Sequence, residues 1–167
     1  MSDLYTELLI KRETPSGEKA MKVAMIVVTV LAGVAGVLVN PLILILFLGM
    51  CVLDYFKFPA FDLEFEYLYV NGELDIDKIM SKQKRKRAES VSMEHVELVA
   101  PSKSHELDYY RQNGSIKVKD YSSGRQDAKV YAMITSKEEK QEMILFEPDE
   151  VILNDMKRIA PRKVKLS

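Results

Sequence analysis

The chain has 167 residues, with 24 basic against 25 acidic side chains and a formal net charge of −1. That balance argues against a protein built as a whole to bind polyanions, and the length leaves room for about one compact domain beside any membrane segment. The single cysteine, Cys51, excludes an intramolecular disulfide and a thiolate metal site.

Residues 2–12 mix Leu4, Tyr5, Leu8, Leu9 and Ile10 with Asp3, Glu7, Lys11 and Arg12. Leu4 and Leu8, with Tyr5 and Leu9 less cleanly, share a helical face. The spacing predicts an amphipathic turn or two lying on a membrane or against a domain; a frayed tail is the alternative, because short helices are marginal alone. Thr14-Pro15-Ser16-Gly17 then breaks any helix.

Residues 23–53 carry no charge. The run is too long, and starts too late, for a secretory signal peptide. It divides at Asn40-Pro41, which predicts a hairpin of two membrane helices over residues 21–39 and 41–58, rather than one kinked span. Asn40 suits the cap of the second helix and Pro41 its first position. Asp54 is expected near the membrane interface, since burial at the bilayer centre costs roughly 3 kcal/mol, with Lys57 snorkelling beside it. Lys11, Arg12, Lys19 and Lys22 precede the first helix and the turn is uncharged, so both termini are expected in the cytoplasm. Ala32 and Gly36 form a small-xxx-small pair that allows close helix packing.

Past residue 59 the period changes to two. Phe61, Leu63, Phe65, Tyr67 and Tyr69 alternate with Asp62, Glu64, Glu66, Leu68 and Val70, which predicts a strand. Asn71-Gly72 predicts a tight type I′ hairpin to a second strand carrying Leu74 and Ile76. Further strands are expected over residues 88–92, 95–99, 115–121, 128–135 and 141–146, with 101–112 a long polar connection. A closing helix is expected to start at Pro148 and to end before Pro161, with Asp149 and Glu150 at its positive end and Lys157 and Arg158 at its negative end.

Residues 67–76 (YLYVNGELDI), 87–99 (RAESVSMEHVELV) and 143–150 (MILFEPDE) carry a resemblance. The chain resembles the bacterial membrane-anchored pleckstrin-homology-like (PH-like) domains, and also a family of small two-helix membrane proteins of Gram-positive bacteria. The resemblance implies an α+β membrane protein in which a transmembrane helical hairpin precedes an antiparallel sheet bent into a partly open barrel, with a C-terminal helix plugging one end. The expected organisation is an N-terminal segment over residues 1–20, the hairpin over 21–58 and a PH-like cytoplasmic domain over 59–167.

Charge falls in blocks, with Asp62, Glu64, Glu66, Glu73, Asp75 and Asp77 ahead of Lys78, Lys82, Lys84, Arg85, Lys86 and Arg87. Near a cytoplasmic leaflet each cation contributes roughly 1 kcal/mol, so Lys82, Lys84, Arg85, Lys86 and Arg87 are the candidate site for anionic lipid or a partner. The alternative is a solvated loop whose cations face the preceding acidic strand. No aromatic residue interleaves the cluster, which disfavours nucleic acid. Lys157, Arg158, Arg162, Lys163 and Lys165 form a second basic patch.

No nucleophile elbow, P-loop, dinucleotide fingerprint or zinc-protease helix occurs, and His95 and His105 lack companion ligands, so no catalytic residue, metal or cofactor is expected. The sequence therefore reads as a non-enzymatic, membrane-tethered interaction module binding anionic lipid or a membrane protein. The alternative is a small structural subunit of a membrane complex, which would need outward hydrogen-bonding groups on the hairpin; only Thr29 and Asn40 offer them.

Overall fold

The computed structural model describes residues 5–137 and 140–166. Its first element is a strand, β1 (Tyr5–Lys11), which pairs antiparallel with β2 (Leu63–Val70) in a register that sets Leu8 opposite Tyr67 and Ile10 opposite Phe65. The amphipathic helix expected over residues 2–12 is thus corrected to a strand for residues 5–11, residues 2–4 lying outside the described residues. Two periods compete in this short stretch. The period-two set Leu8 and Ile10 prevails because pairing with β2 satisfies the backbone and packs both side chains on the core.

Between these paired strands the chain makes the helical hairpin. Helix α1 (Ser16–Leu38) begins immediately after Pro15, earlier than expected, because a proline flanking the first turn costs no intrahelical donor. Helix α2 (Ile43–Lys57) runs into a 3₁₀ turn, Phe58–Phe61. Asn40 does not cap α2 as expected: the helix starts at Ile43 with Leu42 in the cap position, and Asn40 Oδ1 instead accepts from the Leu42 N–H at 2.9 Å within the turn that precedes it. Thr29, Ala32 and Gly36 form the buried stripe of α1. A Cβ on Gly36 would stand 2.6 Å from Leu44 Cδ2 and 3.1 Å from the Leu44 backbone nitrogen, so only glycine allows this approach. Thr29 also donates to Asp54 Oδ2 at 2.7 Å. The outer faces of both helices are apolar and open, with Leu38 and Val39 each 78% exposed at the tip.

The first sheet has the order β1-β2-β3-β4. β3 (Glu73–Met80) follows a turn with positive φ at Asn71 (49°) and Gly72 (91°), the type I′ geometry the Asn-Gly pair favours. β4 (Lys84–Ser92) follows a second such turn at Ser81 and Lys82, closed by the Gln83 N–H to the Met80 carbonyl at 3.1 Å. The second sheet has the order β5-β7-β8-β6, built from β5 (Val96–Pro101), β6 (Lys117–Asp120), β7 (Tyr131–Lys137) and β8 (Lys140–Phe146). One departure from the expected antiparallel series is that β6 lies parallel to β8. Another is the connection after β5, which is a 3₁₀ turn (His105–Leu107) and a short helix, α3 (Asp108–Gln112). It places Leu107, Tyr110 and Ile116 on the outer face of the second sheet, against Leu98, Ala132 and Ile134, which a polar loop would leave wet.

Between the sheets lies the main core: Phe65, Tyr67, Tyr69 and Ile76 from the first, and Met133, Ile144 and Phe146 from the second. Helix α4 (Glu150–Ile159) closes one end with Ile152, Leu153 and Met156. The helix starts at Glu150 rather than at Pro148, because Asp149 caps it, accepting from the Ile152 N–H at 2.8 Å. Two tyrosines tie the core together. Tyr67 donates to the Tyr121 carbonyl at 2.6 Å and accepts from the Glu147 N–H at 3.2 Å, and Tyr69 donates to Asp155 at 2.9 Å.

Candidate functional site

Strand direction places the basic cluster. β2 leaves the hairpin at Leu63, antiparallel β3 returns to Met80, and the Ser81 N–H meets the Asp62 carbonyl at 2.8 Å. The turn Ser81–Gln83 and the start of β4 therefore lie at the end of the sheet from which the hairpin projects. Arg12 reaches the same end, its N–H donating to the Leu63 carbonyl at 3.0 Å.

The five candidate residues do not act as one loop. Lys82 is in the turn, and Lys84, Arg85, Lys86 and Arg87 are in β4, paired with Met80, Ile79, Lys78 and Asp77. The loop half of the solvated-loop alternative is thereby corrected to an edge strand, which long charged side chains suit, while its other half holds for the arginines, which face the preceding acidic strands. Arg85 donates to Glu66 Oε1 at 2.5 Å, and Arg87 donates to Asp75 Oδ2 at 2.5 Å and Asp77 Oδ1 at 2.7 Å. Lys82, Lys84 and Lys86 are exposed and form no ion pair among the described residues.

Burial explains why the arginines are held. Glu66 and Asp77 are directly opposed across β2 and β3, and are only 3% and 4% exposed. Facing like charges would repel without a counterion. Burial pushes the Glu66 carboxyl up, against the pull of Arg85, with Glu7 and Asp77 adding to the rise. Its Oε2 is buried beyond the reach of any donor among the described residues. On the inner side of the same strands, Lys78 lies over the Tyr121 ring, 5.2 Å from its centroid.

Other cations gather at this end without being adjacent in sequence. Lys19 and Lys78 line a cleft of about 810 Å³ between the start of α1 and the loop around Ser122 and Gln126, with Asp120 opposite. Lys22 sits over Phe58, 5.5 Å from the ring centroid, where the helices leave the sheet. The expectation from sequence missed this grouping because it arises only when β1 pairs with β2. Its one visible signal was the presence of cations on both flanks of the uncharged run.

Of the two polar groups considered for partner helices, Thr29 turns inward and binds Asp54, whereas Asn40 is exposed at the tip, its Oδ1 accepting from the Leu42 N–H. His105 meets Asp108 at 3.1 Å on the surface, and among the described residues no cluster of three His, Cys, Asp or Glu side chains is placed to hold a metal. The C-terminal patch is partly structural, with Lys163 donating to the Met93 and Glu94 carbonyls and Lys157 to the Pro161 and Val164 carbonyls. No curated protein and no solved structure matches the chain. A family described as Bacterial PH-like domain (DUF6106) matches residues 2–166, spanning β1, the helical hairpin and both sheets, and the chain belongs to that family.

Proposed function

We propose that this PH-like protein is a membrane-tethered interaction module whose hairpin enters the cytoplasmic membrane, with both termini in the cytoplasm and the basic end of the sheet lying on an anionic leaflet. PH-like domains are generally non-enzymatic binding modules, and membership of the family supports that class. One observation carries the reading: the apolar hairpin is inserted between two strands that pair with each other, so the end it projects from is also the end bearing Lys82, Lys84 and Lys86.

Residues 23–39 rise about 25 Å at ~1.5 Å per residue, close to a hydrocarbon core of roughly 30 Å. Exposed apolar faces on both helices suit lipid far better than water. Three free lysines near an anionic surface contribute roughly 1 kcal/mol each. Arg85 and Arg87 contribute less, being neutralised within the sheet. Thr29, the one polar side chain within the uncharged part of α1, is already bonded inward to Asp54, which favours a self-contained anchor over a subunit bonded to neighbouring helices.

The whole chain is the proper test object, because a fragment starting at residue 59 would lack β1. In sealed vesicles, Cys51 is expected to resist a membrane-impermeant maleimide, whereas cysteines introduced at Glu7 and Ser104 react from the same side. A probe at Gln83 is expected to be quenched by lipid-borne quenchers more strongly as phosphatidylglycerol rises, and less at 1 M salt, where screening acts within about 3 Å. Opposite-side labelling of the two positions refutes the tethered arrangement; quenching independent of lipid charge refutes the electrostatic contact.

A further inference from the structure

A second cleft, of about 580 Å³, lies along the end of β1, one of the two edge strands of its sheet. Leu9 and Ile10 line it, and Lys11, Arg12, Lys19 and Arg125 border it against a single carboxylate, Glu13. Arg12 is committed elsewhere, its two terminal nitrogens donating to Glu18 at 2.9 and 3.2 Å. The other three are nearly free. Lys11 meets Asp62 at 3.7 Å and Arg125 meets Asp127 at 4.0 Å, both exposed pairs that offset little charge, and Lys19 has no ion pair among the described residues.

The three cations come from separate elements: the end of β1, the first turns of α1 and the loop after Ser123. That loop is pinned, the Glu13 N–H donating to the Ser123 carbonyl at 2.7 Å and the Ser123 N–H to Glu147 Oε1 at 2.5 Å. Lys19 precedes the uncharged run by one helical turn, about 6 Å along the axis. On the tethered reading proposed above, on which this step rests, that is the depth of lipid head groups. We infer that the cleft bordered by Lys11, Lys19 and Arg125 binds the phosphate of one anionic glycerophospholipid. The head group lies between the three cations, with Leu9 and Ile10 walling the cleft on the side away from the membrane, and the glycerol and upper acyl chain run from Lys19 along the start of α1 toward the uncharged run. Such a site is stoichiometric, unlike the diffuse contact of Lys82, Lys84 and Lys86 with a bilayer.

The full-length protein in nonionic micelles is titrated with dihexanoyl phosphatidylglycerol, dihexanoyl phosphatidylcholine and inorganic phosphate, bound lipid being counted by native mass spectrometry. One phosphatidylglycerol is expected at saturation, with phosphatidylcholine far weaker. Lys11→Gln, Lys19→Gln and Arg125→Gln together are expected to weaken phosphatidylglycerol on the order of tenfold or more, each lost charge acting at the head group. An equal charge loss at exposed Lys103, Lys117 and Lys129 is expected to change it by less than about twofold. Retention of the lipid by the first variant, or equal loss in the second, overturns the site. Displacement by inorganic phosphate at equal concentration reassigns it to a free anion and overturns the lipid. If the triple variant loses its circular dichroism spectrum, Lys19→Gln alone decides the matter, an unchanged affinity being the refuting result. Alkaline extraction of native membranes separates the two proposals: release of the protein refutes the tether, whereas a retained protein that binds no phosphatidylglycerol refutes only the cleft.

Discussion

Gly36→Ala tests the seam on which the hairpin depends. The added Cβ would lie 2.6 Å from Leu44 Cδ2, 2.9 Å from its Cγ and 3.1 Å from its backbone nitrogen. Comfortable carbon contacts begin near 3.5 Å, so a rotamer change can relieve the first two but not the third. The helices must part by about half an ångström at this point, a separation that overpacking studies place at roughly 1–3 kcal/mol. Alanine also gains up to about 1 kcal/mol of helix propensity over glycine, which partly masks the cost. Gly49→Ala supplies the correction, because nothing lies within 4 Å of a Cβ there and only the propensity gain remains. The difference between the two alanine variants is therefore expected to be about 1–3 kcal/mol, with Gly36→Ala the less stable. Unfolding of the full chain from mild micelles by sodium dodecyl sulfate, followed by helical circular dichroism, measures it. Equal midpoints would show that α1 and α2 are not in contact at Leu44 and would refute the packing argument.

Tyr67→Phe leaves the Tyr121 carbonyl and the Glu147 N–H without their buried partner, and is expected to cost about 2–4 kcal/mol in urea unfolding. Burial pushes the Tyr67 and Tyr69 phenols up, so stability should hold below the ordinary tyrosine value of 10.0 and fall as pH rises beyond it; Tyr67→Phe/Tyr69→Phe should flatten that alkaline decline. Glu66 is raised above its ordinary value of 4.5, so the wild type should gain on Glu66→Gln as pH falls from neutrality toward 4.5, and a change in the opposite direction would show that the Arg85 pair outweighs burial. Removing residues 1–12 strips Leu8 and Ile10 from the core and bares the edge of β2, and is expected to turn a monodisperse species into aggregates by size exclusion.

Legibility in the sequence followed locality. Asn71-Gly72 specifies its turn within two residues, Asn40-Pro41 marks the hairpin tip, and the α4 pattern from Asp149 to Ile159 is complete in itself. β1 was illegible because its partner lies beyond the entire hairpin: Leu8 becomes a strand residue only through Tyr67. β6 was legible as a strand within residues 115–121, but its parallel pairing was not, because its neighbour β8 comes later in the chain; the 3₁₀ turn and α3 were missed because their apolar anchors Leu107 and Tyr110 are too few to announce a helix. At the candidate site the basic block was legible as composition. Which cations remain free was not, since that depends on the register of β4 against β3 and on the packing of the loop bearing Arg125 against Glu13.

That register turns on one residue. Ile76 pairs with Glu89 but Asp77 with Arg87, so Ala88 is an extra residue, a bulge. Without it Asp77 would face Ala88, and Lys78 would face Arg87. Because successive side chains alternate, Arg85 and Arg87 would then turn to the inner face and Lys84 and Lys86 to the outer one. The bulge thus sorts two kinds of cation. Arginines, whose planar forks can hold carboxylates at fixed geometry, are delivered to buried Glu66 and Asp77. Lysines, compact and strongly hydrated, stay exposed beside Lys78 at the end from which the hairpin projects, without an ion pair among the described residues. A run of similar charges in the sequence becomes two surfaces: one neutralises the sheet's own acids, and the other carries the exposed lysines on which the proposed contact with an anionic leaflet rests.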